Sequence, residues 1–209
     1  MSELTIAVPR GALFGETLDR LDAIGIDTAE VRANDRKLLF AGAGIVTMRP
    51  SDVATYVEAG AADIGITGKD VLMEQDERKV FELLDLGYGR CTMVLATVAG
   101  EPDPAAEALR RLGVMRVATK YPRTAARYFE RTGRQAEIVE VKGSVELAPL
   151  AGLVEAIVDL TATGSTLREN RLVVREEIAV ATARLIANPV AHKLKAAAID
   201  AVVERLRAA

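Results

Sequence analysis

Residues 159–166 read Asp-Leu-Thr-Ala-Thr-Gly-Ser-Thr, directly behind the apolar run Leu153–Val158. Three Thr and one Ser surround a single Gly, and a helical pattern begins near Leu167. A strand that passes through a small-residue loop into a helix presents backbone N–H groups with no helical partner, and these suit a phosphate. The hydroxyls of Thr161, Thr163, Ser165 and Thr166 add donors, while Ala162 keeps the loop small. Gly164 permits a positive φ or a close approach. Asp159 is anionic and does not itself favour phosphate. A carboxylate beside such a loop suits a ribose diol, whose hydroxyls donate. The same residues also describe an ordinary strand-to-helix turn whose Ser and Thr cap a helix, and composition alone does not separate the two.

The elements that must hold this loop alternate between strand and helix. Leu4–Val8, Ile45–Met48, Asp63–Thr67, Met93–Val98, Met115–Thr119, Glu137–Val141 and Leu153–Val158 read as strands. Helical patterns lie between them, with Ser51 expected to cap one and Pro122 at the first turn of another. After Leu172–Val174 the pattern reads as helix to the end, with Asn188-Pro189 as a cap and first-turn proline. Alternation of this kind predicts an α/β protein with mostly parallel sheets. A composition shift near Gly87-Tyr88-Gly89 and a second crossing near Leu172–Arg175 divide the chain. Lobe I is expected over residues 1–88 and 175–209, and lobe II, with the phosphate loop, over 89–174. Two lobes joined by two crossings make a hinged cleft in which a ligand would sit.

Composition excludes several classes. The chain has 209 residues, half of them apolar and only 4% aromatic, so it builds an aliphatic core. Its net charge is −3, and no dense Lys/Arg run marks a nucleic-acid binder. A single Cys excludes an internal disulfide, and a single His argues against a Cys/His zinc site. Cys91 reads as a small core residue, His192 as a surface or interface residue, and the methionines as core. No signal-peptide pattern opens the chain and no apolar run spans a membrane, so a cytoplasmic protein is expected. Lys69 stands near a helix start, where it opposes the helix dipole, and that misfit favours an anion nearby. Arg36, Arg49 and Glu146 are equally readable as solvated charges or, for Glu146, as a helix-start carboxylate.

The loop Asp159-Leu-x-x-Thr-Gly-x-Thr-Leu167 resembles the signature of the ATP phosphoribosyltransferases that binds phosphoribosyl pyrophosphate (PRPP). The flanks, Gly143–Leu150 and Arg168-Glu169-Asn170, resemble that family too, as do Val8–Leu13, Asp35–Leu38, Met48–Val53, Ala62–Asp70 and Ala118–Pro122. This resemblance implies a two-lobe periplasmic-binding-protein type II fold with a central cleft. The activity implied is transfer of the phosphoribosyl group of PRPP to N1 of the adenine of ATP, the first step of histidine biosynthesis. The resemblance assigns the 5′-phosphate to Thr161–Thr166, and the ribose hydroxyls to Asp159 and Glu146. Catalysis falls to Arg36 and Arg49, which neutralise phosphates, with Arg10, Gly11 and Lys69 in the same substrate site. Mg²⁺ would be held mainly by substrate rather than by a protein cage. The size matches short members, which imply a homodimer and a hetero-oligomer with a regulatory subunit resembling histidyl-tRNA synthetase. Two positions depart from the usual Pro-Lys-Gly-Arg-Leu: Arg10 replaces Lys, and Ala12 stands where many members have Arg.

Two rivals remain at this level. A cytoplasmic solute-binding or effector-sensing module shares the fold without catalysis. A Rossmann-like phosphoribosyltransferase would carry two adjacent acidic residues before its loop, whereas Asp159 is preceded by Val158.

Overall fold

The computed structural model describes residues 4–75 and 77–209. The chain forms two compact units, Met1–Gly89 with Thr182–Ala209, and Arg90–Ala181. Unit 1 starts with β1 (Ile6–Pro9), α1 (Phe14–Ala23), α2 (Ala29–Arg32), β2 (Leu39–Phe40) and β3 (Ile45–Met48). It continues through α3 (Pro50–Glu58), β4 (Ile64–Gly68), α4 (Lys69–Glu74) and β5 (Phe81–Asp85). β1 runs parallel to β3 and β4, with Ile6 opposite both Ile45 and Ile64. Every residue of β1 and β4 is buried, the mark of strands covered on both faces. Leu18 and Leu21 of α1 pack with Ile6 and Val8, while Val53, Ala54 and Val57 of α3 pack with Ala7. A Cβ at Gly65 would meet Val53 Cγ1 at 2.7 Å and Val57 Cγ2 at 2.8 Å. Only glycine there lets α3 settle onto the sheet.

Unit 2 carries β6 (Cys91–Val98), α5 (Pro104–Leu112), β7 (Met115–Thr119), α6 (Pro122–Thr132) and β8 (Ala136–Glu140). After these come α7 (Leu147–Leu150), β9 (Ala156–Thr161), α8 (Ser165–Glu169) and β10 (Leu172–Ala181). The sheet order is β10-β6-β9-β7-β8. Alternate residues of β6 supply two cores: Met93 and Leu95 join Val117 and Phe129, while Val94 and Ala96 join Ile157, Ala148 and Leu167. The chain returns to unit 1 through β11 (Ala183–Ala187), α9 (Pro189–Leu194) and α10 (Ala196–Ala208). β11 lies antiparallel between β4 and β5, which gives the order β2-β3-β1-β4-β11-β5.

Four expectations need correction. Both sheets are mixed rather than mostly parallel, because β2, β5, β6, β10 and β11 pair antiparallel. Residues 175–187 continue β10 and form β11 where the sequence suggests helix. β10 shifts register between Val174 and Glu176 and again between Glu177 and Ala179. Such bulges break the two-residue alternation that would identify a strand. Because β10 stays paired with β6 to its end, the return crossing follows Ala181 rather than residue 174. Finally, Arg49 rather than Ser51 occupies the cap position of α3, and Pro50 takes its first helical position. The Ser51 hydroxyl instead donates to Asp52 Oδ1 at 3.1 Å.

Candidate active site

In unit 2 the parallel pair β7 and β9 sets the geometry. Thr119 lies opposite Val158, so the next residues come side by side: Lys120, just past the carboxyl end of β7, and Asp159, two residues before that of β9. That edge is where open α/β sheets bind ligands. Asp159 is only 8% exposed, and its Oδ1 accepts from its neighbour's N–H, Leu160 N, at 2.8 Å. Burial raises its carboxyl pKa above the usual value. The Leu160 N–H and the charge of Lys120 oppose that rise, and Glu146 adds to it. A buried carboxyl held against its preference beside a second carboxylate and a lysine is the electrostatic profile of a binding site. Lys120 was missed by sequence reasoning. Its signal was a cation placed directly after a parallel strand, ahead of Tyr121-Pro122.

The turn after β9 is held from within. Thr161 Oγ1 accepts from Gly164 N at 2.9 Å, and Gly164 sits at φ +71°. The Thr163 and Ser165 hydroxyls lie 3.0 Å apart. Arg168 Nη1 donates to Thr163 O at 2.9 Å. These bonds shape a compact turn whose Ala162, Thr163, Ser165 and Thr166 face solvent. Asp159, Glu146 and the loop Thr161–Thr166 therefore belong to one region of unit 2.

Unit 1 repeats the strand-end pattern. Arg10 follows β1, Arg49 follows β3 and Lys69 follows β4, three neighbouring parallel strands. Each strand thus ends in a cation at its carboxyl edge. Arg10, Leu38, Met48, Arg49, Asp52 and Tyr56 line a concavity of about 440 Å³, within the range of small-molecule sites. Gly11 has φ +88° and open space where a Cβ would lie. Arg49 is exposed. Arg36 is exposed on the turn before β2 and makes no hydrogen bond or ion pair with another described residue. Lys69 is partly satisfied inside the protein, since its Nζ donates to Glu82 Oε2 at 2.6 Å. Arg10 is engaged further: its Nε donates to Thr47 Oγ1 at 3.1 Å, and its Nη2 donates to Asn34 O and Lys37 O at 3.1 and 2.9 Å.

The residues set aside by sequence fall elsewhere. Cys91 is half-buried at the start of β6. His192 packs edge-on against Phe81 with ring centroids 5.6 Å apart. Among the described residues no three His, Cys, Asp or Glu side chains gather as a metal site, and no helix is long and apolar enough to cross a membrane.

The chain is similar to known proteins over nearly its whole length. The family model described as HisG: ATP phosphoribosyltransferase matches residues 49–208. A curated relative from Rubrobacter xylanophilus, named ATP phosphoribosyltransferase, is 55% identical over 201 residues, covering 95% of this chain and 93% of its own. The solved structure of the ATP phosphoribosyl transferase (HisG:HisZ) complex from Thermotoga maritima matches with a TM-score of 0.81 at 37% identity, covering 98% of this chain and 96% of that one. Tv2483 bound to L-arginine matches with a TM-score of 0.58 at 14% identity, over 98% and 83% of the two chains, and is alike in fold alone. The architecture is the α/β, two-lobe fold of the periplasmic-binding-protein type II kind.

Proposed function

The chain belongs to the ATP phosphoribosyltransferase family, and from that premise we propose how its residues carry out the reaction. The enzyme transfers the 5-phosphoribosyl group of PRPP to N1 of the adenine of ATP and releases pyrophosphate, opening histidine biosynthesis. A bond forms between N1 and the anomeric carbon, and the bond from that carbon to the pyrophosphate oxygen breaks. The electron pair leaves with pyrophosphate. N1 brings its own lone pair and has no proton to lose, so no strong general base is needed. Catalysis then rests on positioning two substrates and on stabilising the charge of the leaving group.

The observation that carries the assignment is Asp159, buried two residues before the end of β9, whose last residue, Thr161, opens the Thr161–Thr166 turn. Asp159 and Glu146 accept hydrogen bonds from the ribose hydroxyls, and the hydroxyls and backbone N–H groups of the turn hold the 5′-phosphate. Lys120 balances the two carboxylates. Arg36 and Arg49 neutralise the departing pyrophosphate, with Lys69 and Gly11 at the same strand edge. The donors around the loop are oxygens, which suit a hard divalent cation such as Mg²⁺ carried on substrate phosphates. Carried there, Mg²⁺ would draw charge from the departing pyrophosphate, and Asp159 and Glu146 are the carboxylates of unit 2 that would help hold it.

The T. maritima relative was solved as a two-component complex, which supports a hetero-oligomer with a synthetase-like regulatory subunit, alongside a homodimer of this chain. The cytoplasm, where ATP and PRPP are made, is the proposed compartment. The test is direct: the protein is mixed with ATP, PRPP and Mg²⁺, and the N1-phosphoribosyl adduct is followed by its absorbance. Binding of PRPP without turnover would instead support a solute-binding module. Thr163→Val should reduce kcat/KM for PRPP by roughly tenfold, the typical worth of a hydrogen bond to a charged group. Unchanged PRPP kinetics would remove the loop assignment.

A further inference from the structure

The Arg10 side chain is 22% exposed, and its donors are directed at the chain rather than outward. Nη2 reaches Asn34 O and Lys37 O, the carbonyls on either side of Asp35-Arg36, at 3.1 and 2.9 Å. Nε is fixed on Thr47 Oγ1 of β3 at 3.1 Å. Nη1 lies 3.9 Å from Asp35 Oδ1, and the guanidinium carbon stands 5.0 Å from the centre of the Phe14 ring. One planar group thus ties both ends of a turn to the carboxyl edge of β1 and β3. Residues 34–38 are neither strand nor helix, and they are also tied by Thr47 N donating to Leu38 O at 2.8 Å, by Asn34 Nδ2 donating to Glu30 O at 2.8 Å, and by the Lys37–Glu30 ion pair. At its apex is Arg36, exposed and without a partner among the described residues.

We propose that Arg10 is a positioning residue: it acts on the reaction through Arg36, by fixing the turn that presents Arg36 to the leaving pyrophosphate, rather than by touching substrate. The inference rests on the leaving-group role given to Arg36 above. A turn fixed in advance presents its charge without ordering the backbone at the moment of reaction. It also accounts for arginine at a position where the resemblance leads one to expect lysine. A lysine places one nitrogen at one point, whereas three acceptors in different directions need the guanidinium fork.

Steady-state kinetics of Arg10→Lys, Thr47→Val and Arg36→Ala, alone and in pairs, separate the roles, with melting temperatures recorded alongside. Arg10→Lys keeps the charge and should lower kcat about tenfold while the KM for PRPP stays within about twofold. Thr47→Val removes one tie and should lower kcat about threefold. In the Arg36→Ala background neither should change kcat by more than about twofold, as expected for residues that act as one unit. Equal fold-losses in both backgrounds overturn the proposal, as does a raised PRPP KM at unchanged kcat, which would mean direct anion contact by Arg10. If Arg36→Ala alone keeps wild-type kcat, the leaving-group reading falls and this inference with it. A defective Arg36→Ala with an independent Arg10→Lys removes only the inference. Thr47 is 2% exposed and valine keeps its shape apart from the hydroxyl, so Thr47→Val carries the test if Arg10→Lys folds poorly.

Discussion

Asp159 sets function against stability at a single carboxyl. Burial raises its folded-state pKa above the ordinary 3.8. For an acid whose folded pKa is raised, the favourable contribution to folding is complete below the unfolded value and is lost as pH climbs through the folded one. At neutral pH the ionised Asp159 therefore works against the fold. Asp159→Asn should raise the melting temperature at pH 7 and leave it unchanged below pH 3.8, which thermal melts at the two pH values would check. The same change removes the charge that receives the ribose hydroxyls, so kcat/KM for PRPP should fall roughly 10- to 100-fold, for hydrogen bonds to a charged group worth about 1.5–3 kcal/mol. A variant that is both less stable and fully active would contradict the assignment. Lys120 holds the Asp159 pKa down, so Lys120→Met should move the acid limb of the kcat/KM profile toward higher pH.

At the scale of elements, Asn188 shows how much one cap can join. Its Oδ1 accepts from Val190 N and Ala191 N, both at 2.9 Å, at the start of α9. Its Nδ2 donates to Val57 O at 2.8 Å and Glu58 O at 3.2 Å at the end of α3. Asn188→Ala abandons all of these in a buried place. The expected loss is about 2–3 kcal/mol, or roughly 4–10 °C of melting temperature for a chain of this size. A shift under a degree or two in calorimetry would mean water replaces these bonds. This cap was legible from the Asn-Pro pair, and so were the strands that lead into Arg49 and Lys69, because continuous apolar runs mark buried strands. The sequence places β9 too early, since the strand runs from Ala156 to Thr161 and carries Asp159 inside it. β10 was not legible. Its bulges spoil the alternation, and its Glu176-Glu177 pair reads as a helix surface. Glu176 in fact accepts from Arg134 Nη1 at 2.6 Å and from the hydroxyl of Tyr128 of α6. Arg10 was visible as a charge, yet its role was not, since its acceptors are backbone carbonyls of a turn that carries no pattern.

At the scale of the molecule, regulation and assembly can be examined separately. Every described helix and strand belongs to one of the two units, and feedback by histidine, the end product of the proposed pathway, would act through the regulatory subunit. Histidine titrated into the reaction of this chain alone should leave the rate unchanged, and co-expression should recover the synthetase-like subunit in the same peak on size exclusion. Inhibition by micromolar histidine without a partner would refute the two-component reading. β11 adds a consequence of a different kind. Its residues, Ala183–Ala187, lie between β4 and β5, so the first sheet has a gap until the last part of the chain exists. At ribosomal speeds of about 5–20 residues per second, β5 leaves the ribosome roughly 5–20 s before β11, its neighbour in the sheet. Unit 2, contiguous from Arg90 to Ala181, has every strand it needs by then. A fragment of residues 90–181 should give dispersed amide spectra on its own, while residues 1–89 should remain unfolded until residues 182–209 are supplied in trans. Released chains truncated after residue 181 should accordingly resist protease in their later half and yield in their earlier one, because the segment translated first is the one that finishes folding last.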